Sequence, residues 1–318
     1  MKVTVVGAGG NVGSTVAFAV AQRDFAKEVV MVDLERKEGD KTFYPSKGRA
    51  LDQWEAAPIA GFDTRLTGTT DYSDTKDSDV CVITAGVPRK PGMSRDDLLE
   101  INSKIVKSVT EQLIKYSPNT IIIVVSNPLD VMTYVAHTAS GLDSSRVMGM
   151  AGILDTARYR AFLAEELNVS PKDIQALLMG GHGDTMVPLP RYTTVSGIPV
   201  TQLIDADKLD SIVDRTKKGG GEIVGLMGTS AWYAPGAAAA QMVEAIMLDQ
   251  NRIFPCAVLL NGEYGIKDIF LGVPVKLGHG GIKEIIEVEL DADEQKLLDE
   301  SEKAVRSTLD DFKKLISK

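Results

Sequence analysis

Cysteine is almost missing from this chain. Cys81 and Cys256 are the only two, each inside an apolar, strand-like run. They read as buried thiols of a reducing compartment, and no metal-ligand spacing accompanies them. Basic charge is also short: 35 Lys and Arg stand against 44 Asp and Glu, a formal net charge of −9. A nucleic acid or an anionic membrane needs a basic face, so neither is expected as a partner. No apolar run reaches membrane-spanning length. Lys2-Val3-Thr4-Val5-Val6 already reads as a strand, leaving no room for a signal or transit peptide. These absences point to a cytoplasmic protein without a resident metal.

What is present is an ordinary globular balance, 318 residues of which 44% are apolar. That length suits two domains of roughly 150 residues each. The first half offers short β-branched runs at Val3–Val6, Val29–Val32, Arg65–Thr67, Val80–Thr84, Ile121–Val125 and Arg146–Met148. Helical patterns lie between most of them, at Val12–Gln22, Lys47–Ala57, Leu98–Tyr116 and Asp130–Ser140. Such alternation implies an α/β fold, with a parallel sheet, right-handed crossovers and helices on both faces. Ile121–Val125 has no polar alternation, as expected of a strand buried on both sides.

The second half changes character. Ile174–Met179 reads as a strand and Tyr192–Val200 as a hairpin around Ser196-Gly197. Phe254–Ile266 reads as strand, Asn261-Gly262 turn and strand. Asp291 and Glu294 give a capping-box-like start to a closing helix, where Leu298, Val305, Leu309, Phe312 and Ile316 recur at helical spacing. The domain change is placed near Gly149–Gly152, dividing the chain into 1–149 and 150–318. No Ser/Pro-rich linker separates the two, so they should pack closely with a site between them.

Four stretches carry chemistry. Gly7-Ala8-Gly9-Gly10-Asn11-Val12-Gly13 follows the first strand and opens a helix, where backbone N–H groups can meet a pyrophosphate. It holds one glycine more than the usual G-x-G-x-x-G. Asp33 ends the second strand twenty residues beyond Gly13. A carboxylate there accepts from adenosine ribose hydroxyls and repels a 2′-phosphate, favouring NAD over NADP. Thr84 to Arg95 sets Arg89 and Arg95 six residues apart in a loop punctuated by Gly86, Pro88, Pro91 and Gly92. Guanidinium groups in such a surface loop can grip a carboxylate through paired hydrogen bonds. Gly180-Gly181-His182-Gly183-Asp184 presents an imidazole in a tight turn, expected to be exposed there to a ligand. Asp155 is a candidate to fix its tautomer, and Arg158 lies at i,i+3 on the same helical face. Ser126-Asn127-Pro128 follows the buried fifth strand, where Asn127 could touch cofactor and substrate. His137 and His279 lack such surroundings and are taken as structural.

The glycine turn, ITAGVPRKPGMSRDDLL, VVSNPLDVMTY, GMAGILDTARYR, LLMGGHGDTMVPL and MGTSAWYAPGAAAA together resemble the NAD-dependent malate dehydrogenases of the bacterial, lactate-dehydrogenase-like type. The resemblance spans essentially the whole length. It implies a Rossmann-type NAD-binding domain followed by an α+β substrate-binding, catalytic domain, and reversible oxidation of malate to oxaloacetate. His182 then matches the proton acceptor, Asp155 its orienting partner, and Arg158 the clamp on the C1 carboxylate. Arg95 matches the arginine that polarises the reacting carbonyl, and Arg89 the partner of the distal carboxylate, where lactate dehydrogenases usually carry glutamine. Gly7, Gly9, Gly10, Asn11, Val12, Gly13, Asp33, Asn102, Val125 and Asn127 fall at NAD-lining positions. Pro235 matches a position on the nicotinamide side. The resemblance also implies a homo-oligomer, a tetramer ahead of a dimer. Two departures lie near the adenosine end: the extra glycine and the long segment Leu34–Lys47. The nearest rival is a lactate or other 2-hydroxy-acid dehydrogenase. A non-catalytic NAD-binding protein is the rival of another class, and it predicts loss of His182, Asp155 or Arg158.

Overall fold

The computed structural model describes residues 1–88 and 94–316. Strand β1 (Lys2–Val6) turns into helix α1 (Asn11–Gln22), and β2 (Glu28–Val32) follows. A small exposed hairpin, β3 (Arg36–Glu38) and β4 (Lys41–Phe43), precedes α2 (Pro45–Glu55) and the one-turn α3 (Ala57–Ala60). The first half then runs β5 (Arg65–Thr69), β6 (Val80–Ile83), α4 (Arg95–Tyr116), β7 (Ile121–Val124), α5 (Leu129–Ser140) and β8 (Val147–Gly149). After α6 (Gly152–Leu167) come short strands β9 (Ile174–Gln175), β10 (Leu178–Met179) and β11 (Val187–Pro188), then the hairpin β12 (Thr194–Val195) and β13 (Ile198–Pro199). The chain continues through α7 (Ala206–Met227), α8 (Tyr233–Met247), β14 (Arg252–Asn261), β15 (Lys267–Gly278), β16 (Gly281–Ile285) and α9 (Ala292–Ile316).

One nine-stranded sheet dominates, in the order β16-β15-β14-β8-β7-β6-β1-β2-β5. The six strands from β5 to β8 are parallel, as the alternation of the first half implies. β14, β15 and β16 join antiparallel, with Ala257 opposite Gly149 at the seam. Side chains alternate between two cores. Val29, Met31, Ile121 and Ile123 pack with α1 and α8 on one face, while Val30, Val32, Ile122 and Val124 pack with α4, α5 and α9 on the other. Each fully buried aliphatic side chain contributes roughly 1.5–3 kcal/mol against exposure, which is why these strands carry no polar alternation.

Two expectations need correction. Ile174–Met179 is two short strands in different sheets, because β9 pairs with β12 while β10 pairs with β11. Phe254–Ile266 is not a two-residue hairpin: the turn runs from Gly262 to Ile266 with Tyr264 at φ 54°, and the return strand begins only at Lys267. The long segment Leu34–Lys47 holds the β3–β4 hairpin and the first turn of α2, which accounts for its length. At the other end of the chain, Asp291 Oδ1 accepts from the Glu294 N–H and Glu294 Oε2 accepts from the Asp291 N–H. This is the reciprocal cap that the sequence suggested for α9.

Candidate functional site

Strand order reverses at β1, which has β2 on one side and β6 on the other. Loops leaving the two central strands at such a point diverge and leave a crevice. Gly7 lies there at φ 84°, and a Cβ on it would meet the Ala85 nitrogen at 2.7 Å. Gly10 precedes α1 without a side-chain cap. Gly7, Gly10, Asn11, Val12 and Gly13 line a cavity of about 380 Å³, with Gly86, Asn102, Val125 and Asn127 opposite. Asn102 lines it without keeping free polar atoms. Its Oδ1 accepts from the Val87 N–H at 2.8 Å, and its Nδ2 donates to the Asn127 carbonyl at 2.7 Å.

Asp33 follows β2 and faces the same turn. Its Oδ2 accepts from the Gly9 N–H and its Oδ1 from the Leu34 N–H, both at 2.7 Å. Gly9, the extra glycine, is therefore the residue that reaches the carboxylate. Arg49 on α2, which the sequence did not single out, donates to the Gly9 carbonyl and to Asn11 Oδ1, each at 2.9 Å. Bare backbone at a helix N-terminus suits a pyrophosphate, and a strand-end carboxylate suits ribose hydroxyls. The cradle fits a nicotinamide dinucleotide.

A larger cavity of about 730 Å³ adjoins it, sharing Val12, Val125, Asn127, Ser230 and Ala231. Arg158, His182, Lys217 and Pro235 contribute to its wall. Asp155 in the first turn of α6 is 2% exposed and divides its two oxygens. Oδ2 meets His182 Nδ1 at 2.9 Å, and Oδ1 accepts from Arg158 Nη1 at 3.2 Å. Arg158 Nε is buried without a hydrogen-bond partner among the described residues. A guanidinium with an unused buried donor can still take a carboxylate.

The glycines beside His182 have a tertiary cause. A Cβ on Gly181 would meet Val305 Cγ2 at 2.6 Å, and the Gly181 N–H donates to Ser301 Oγ at 2.8 Å. Helix α9 thus clamps the turn, and the His182 side chain is only 19% exposed, rather than open as expected from the turn alone. Burial works against the charged imidazole, yet the carboxylates of Asp155 and Asp130 together outweigh it and hold His182 above its ordinary value. With Nδ1 engaged by Asp155, Nε2 remains for a ligand.

Asp130, in the first turn of α5, was also missed by sequence reasoning, because an acid there reads as an ordinary helix-start residue. Burial pushes it up to about 7. Arg89 lies outside the described residues; Arg95 opens α4, and its side chain is likewise not described. His137 packs against the Phe270 ring. Cys81 and Cys256 are buried free thiols.

A cofactor cradle continuous with a histidine–carboxylate–arginine group defines a dinucleotide-dependent dehydrogenase. Residues 1–149 match the lactate/malate dehydrogenase NAD-binding domain, and residues 153–316 the α/β C-terminal domain of the same family. The chain is 66% identical to the malate dehydrogenase of Salinibacter ruber over 99% of its length and 98% of that protein. The structure of the Salinibacter ruber enzyme superposes with a TM-score of 0.93 at 63% identity, covering 100% of this chain and 99% of that one. Malate dehydrogenase from Plasmodium falciparum in complex with NADH gives 0.89 at 35% identity, covering 99% and 100%. The chain belongs to the lactate/malate dehydrogenase family.

Proposed function

We propose that the chain catalyses reversible, NAD-dependent oxidation of (S)-malate to oxaloacetate, as a malate dehydrogenase. The observation that carries this reading is Asp155 bridging His182 and Arg158 in a cavity that continues into the glycine cradle. NAD supplies the hydride acceptor at its nicotinamide ring when bound. His182 Nε2 takes the malate hydroxyl proton while Asp155 holds the Nδ1 tautomer and stabilises the imidazolium. Arg158 grips the C1 carboxylate and Arg95 polarises the carbonyl that forms, supplying orientation and electrostatic stabilisation. Arg89 pairs with the second carboxylate and so selects malate over lactate. Asn127, which lines both cavities, bridges the cofactor and substrate ends.

The cofactor is held by 1–149 and the histidine–carboxylate–arginine group comes from 150–318, with Arg89, Arg95 and Asn127 reaching the substrate from the first half. Among the described residues no helix is long and apolar enough to cross a membrane. A cytoplasmic location belongs to the same reading and suits two buried free thiols. So does a homo-oligomer, a tetramer ahead of a dimer. Leu51, Ile59, Leu226 and Tyr233 leave apolar area exposed that a second copy would cover. Light scattering of the purified protein tests the assembly, and a monomer at micromolar concentration rejects it.

The deciding assay offers oxaloacetate and pyruvate side by side with NADH. Preference for oxaloacetate is expected. Preference for pyruvate makes the chain a lactate dehydrogenase, and no turnover with either leaves another 2-hydroxy acid as substrate or a cofactor-binding role alone.

A further inference from the structure

A third cavity, of about 380 Å³, lies between the start of α5, the His182 turn and α9. Asp130, His182, Asp184, Thr185, Val305 and Thr308 are on its wall. Asp130 Oδ1 is buried there without a hydrogen-bond partner among the described residues. A buried carboxylate oxygen without a donor is costly to keep charged. Its surroundings show what it can do. Burial is the largest influence and opposes its charge, as does Asp155, while the imidazole and backbone N–H of His182 favour the charged form. The dependence is mutual, because Asp130 favours the imidazolium in turn.

We propose that Asp130 is a positioning residue for proton transfer at His182, a second carboxylate that acts on the imidazole from α5 while Asp155 acts from α6. This rests on His182 being the proton acceptor. Malate oxidation breaks the hydroxyl O–H bond and leaves the proton on Nε2, so the protein must carry a cation there that it did not carry before. Among the described residues, the charged groups acting on His182 or on the walls of the cavities it lines are Asp155 and Arg158 from α6, Asp130 from α5, Asp184 from its own turn and Lys217 from α7. Helix α9 presents Ala304, Val305 and Thr308, none of them charged. Among the described residues, Asp130 is thus one of two carboxylates that favour the imidazolium. Because α5 begins immediately after Asn127-Pro128, the same helix start links the proton site to a residue that lines both the cofactor and substrate cavities.

The test is Asp130→Asn, which keeps shape and removes charge. Oxaloacetate reduction needs the imidazolium, so the alkaline limb of its kcat/KM profile should move down by roughly one pH unit, with NADH affinity unchanged. Asp130→Glu should move the limb back toward the wild type. An unmoved limb in Asp130→Asn overturns the proposal while leaving His182 in place. Should His182→Gln also leave reduction intact, both the functional reading and this inference fall together. If the Asn variant does not fold, the wild-type protein still decides. The Asp130 carboxyl ¹³C resonance should titrate jointly with the His182 imidazole, and an independent titration in the ordinary carboxylate range overturns the proposal.

Discussion

The Gly9 N–H donates to Asp33 Oδ2 over 2.7 Å, and a Cβ on Gly9 would lie 2.7 Å from that same oxygen. The extra glycine of the turn and the strand-end carboxylate are therefore one device. Gly9→Ala should push Asp33 aside and raise KM for NADH roughly tenfold, the size expected when one charge-assisted hydrogen bond is lost. Fluorescence titration of NADH checks it; unchanged affinity would mean that the contact is incidental.

Asp33 should also decide between the two nicotinamide dinucleotides. A 2′-phosphate brings negative charge against its carboxylate. Asp33→Ser should narrow the NAD-to-NADP gap in kcat/KM. Equal use of NADPH and NADH by the wild type rejects this assignment.

His182→Ala removes the group placed to receive the proton. Turnover should fall by about 10²–10⁴-fold, while NADH still binds. Asp155→Asn should also be impaired, losing both the tautomer lock on Nδ1 and the stabilisation of the imidazolium. Near-normal kcat in either variant removes that residue from the mechanism.

Arg89 is expected to choose the substrate. Breaking a buried charge pair costs about 3–5 kcal/mol, or on the order of 10²–10³-fold or more in discrimination. Arg89→Gln should lower kcat/KM steeply for oxaloacetate and raise it for pyruvate. Arg95→Gln should damage both, since its proposed place is at the carbonyl they share. An unchanged oxaloacetate-to-pyruvate ratio in Arg89→Gln would assign selectivity to another residue.

The parallel strands and their helices were legible because continuous β-branched runs and amphipathic periods are local signals. Short strands were not. β9 and β10 are two residues each, too few to show a period, and their partners lie elsewhere in the chain. β15 is set by antiparallel register with β14, and β16 by register with β15, both tertiary properties. At the site, His182, Asp155 and Arg158 stood out by residue type and spacing. Arg49 and Asp130 did not, because their meaning comes from the Gly9 carbonyl and the His182 turn that the fold brings to them.

The pH dependence of stability should carry Asp130's signature. Burial raises its folded pKa to about 7, whereas an unfolded Asp titrates near 3.9. Above about pH 4 the unfolded chain has released a proton that the fold retains. The contribution from this group is thus fully present below pH 4 and lost as pH rises through 7. Urea denaturation should find Asp130→Asn gaining on the wild type between pH 4 and pH 8, and a constant difference across that range refutes the raised value.

The single sheet has a mechanical consequence. β14, β15 and β16 come from the second half of the chain yet extend the parallel strands of the first through β8. Helix α8, also from the second half, lies so close to α1 that a Cβ on Gly236 would meet Thr15 Cγ2 at 2.6 Å. Two halves joined by shared backbone pairing and close helix contact cannot swing apart on a linker as hinged domains do. The radius of gyration in solution should therefore stay the same whether the cleft is filled or empty.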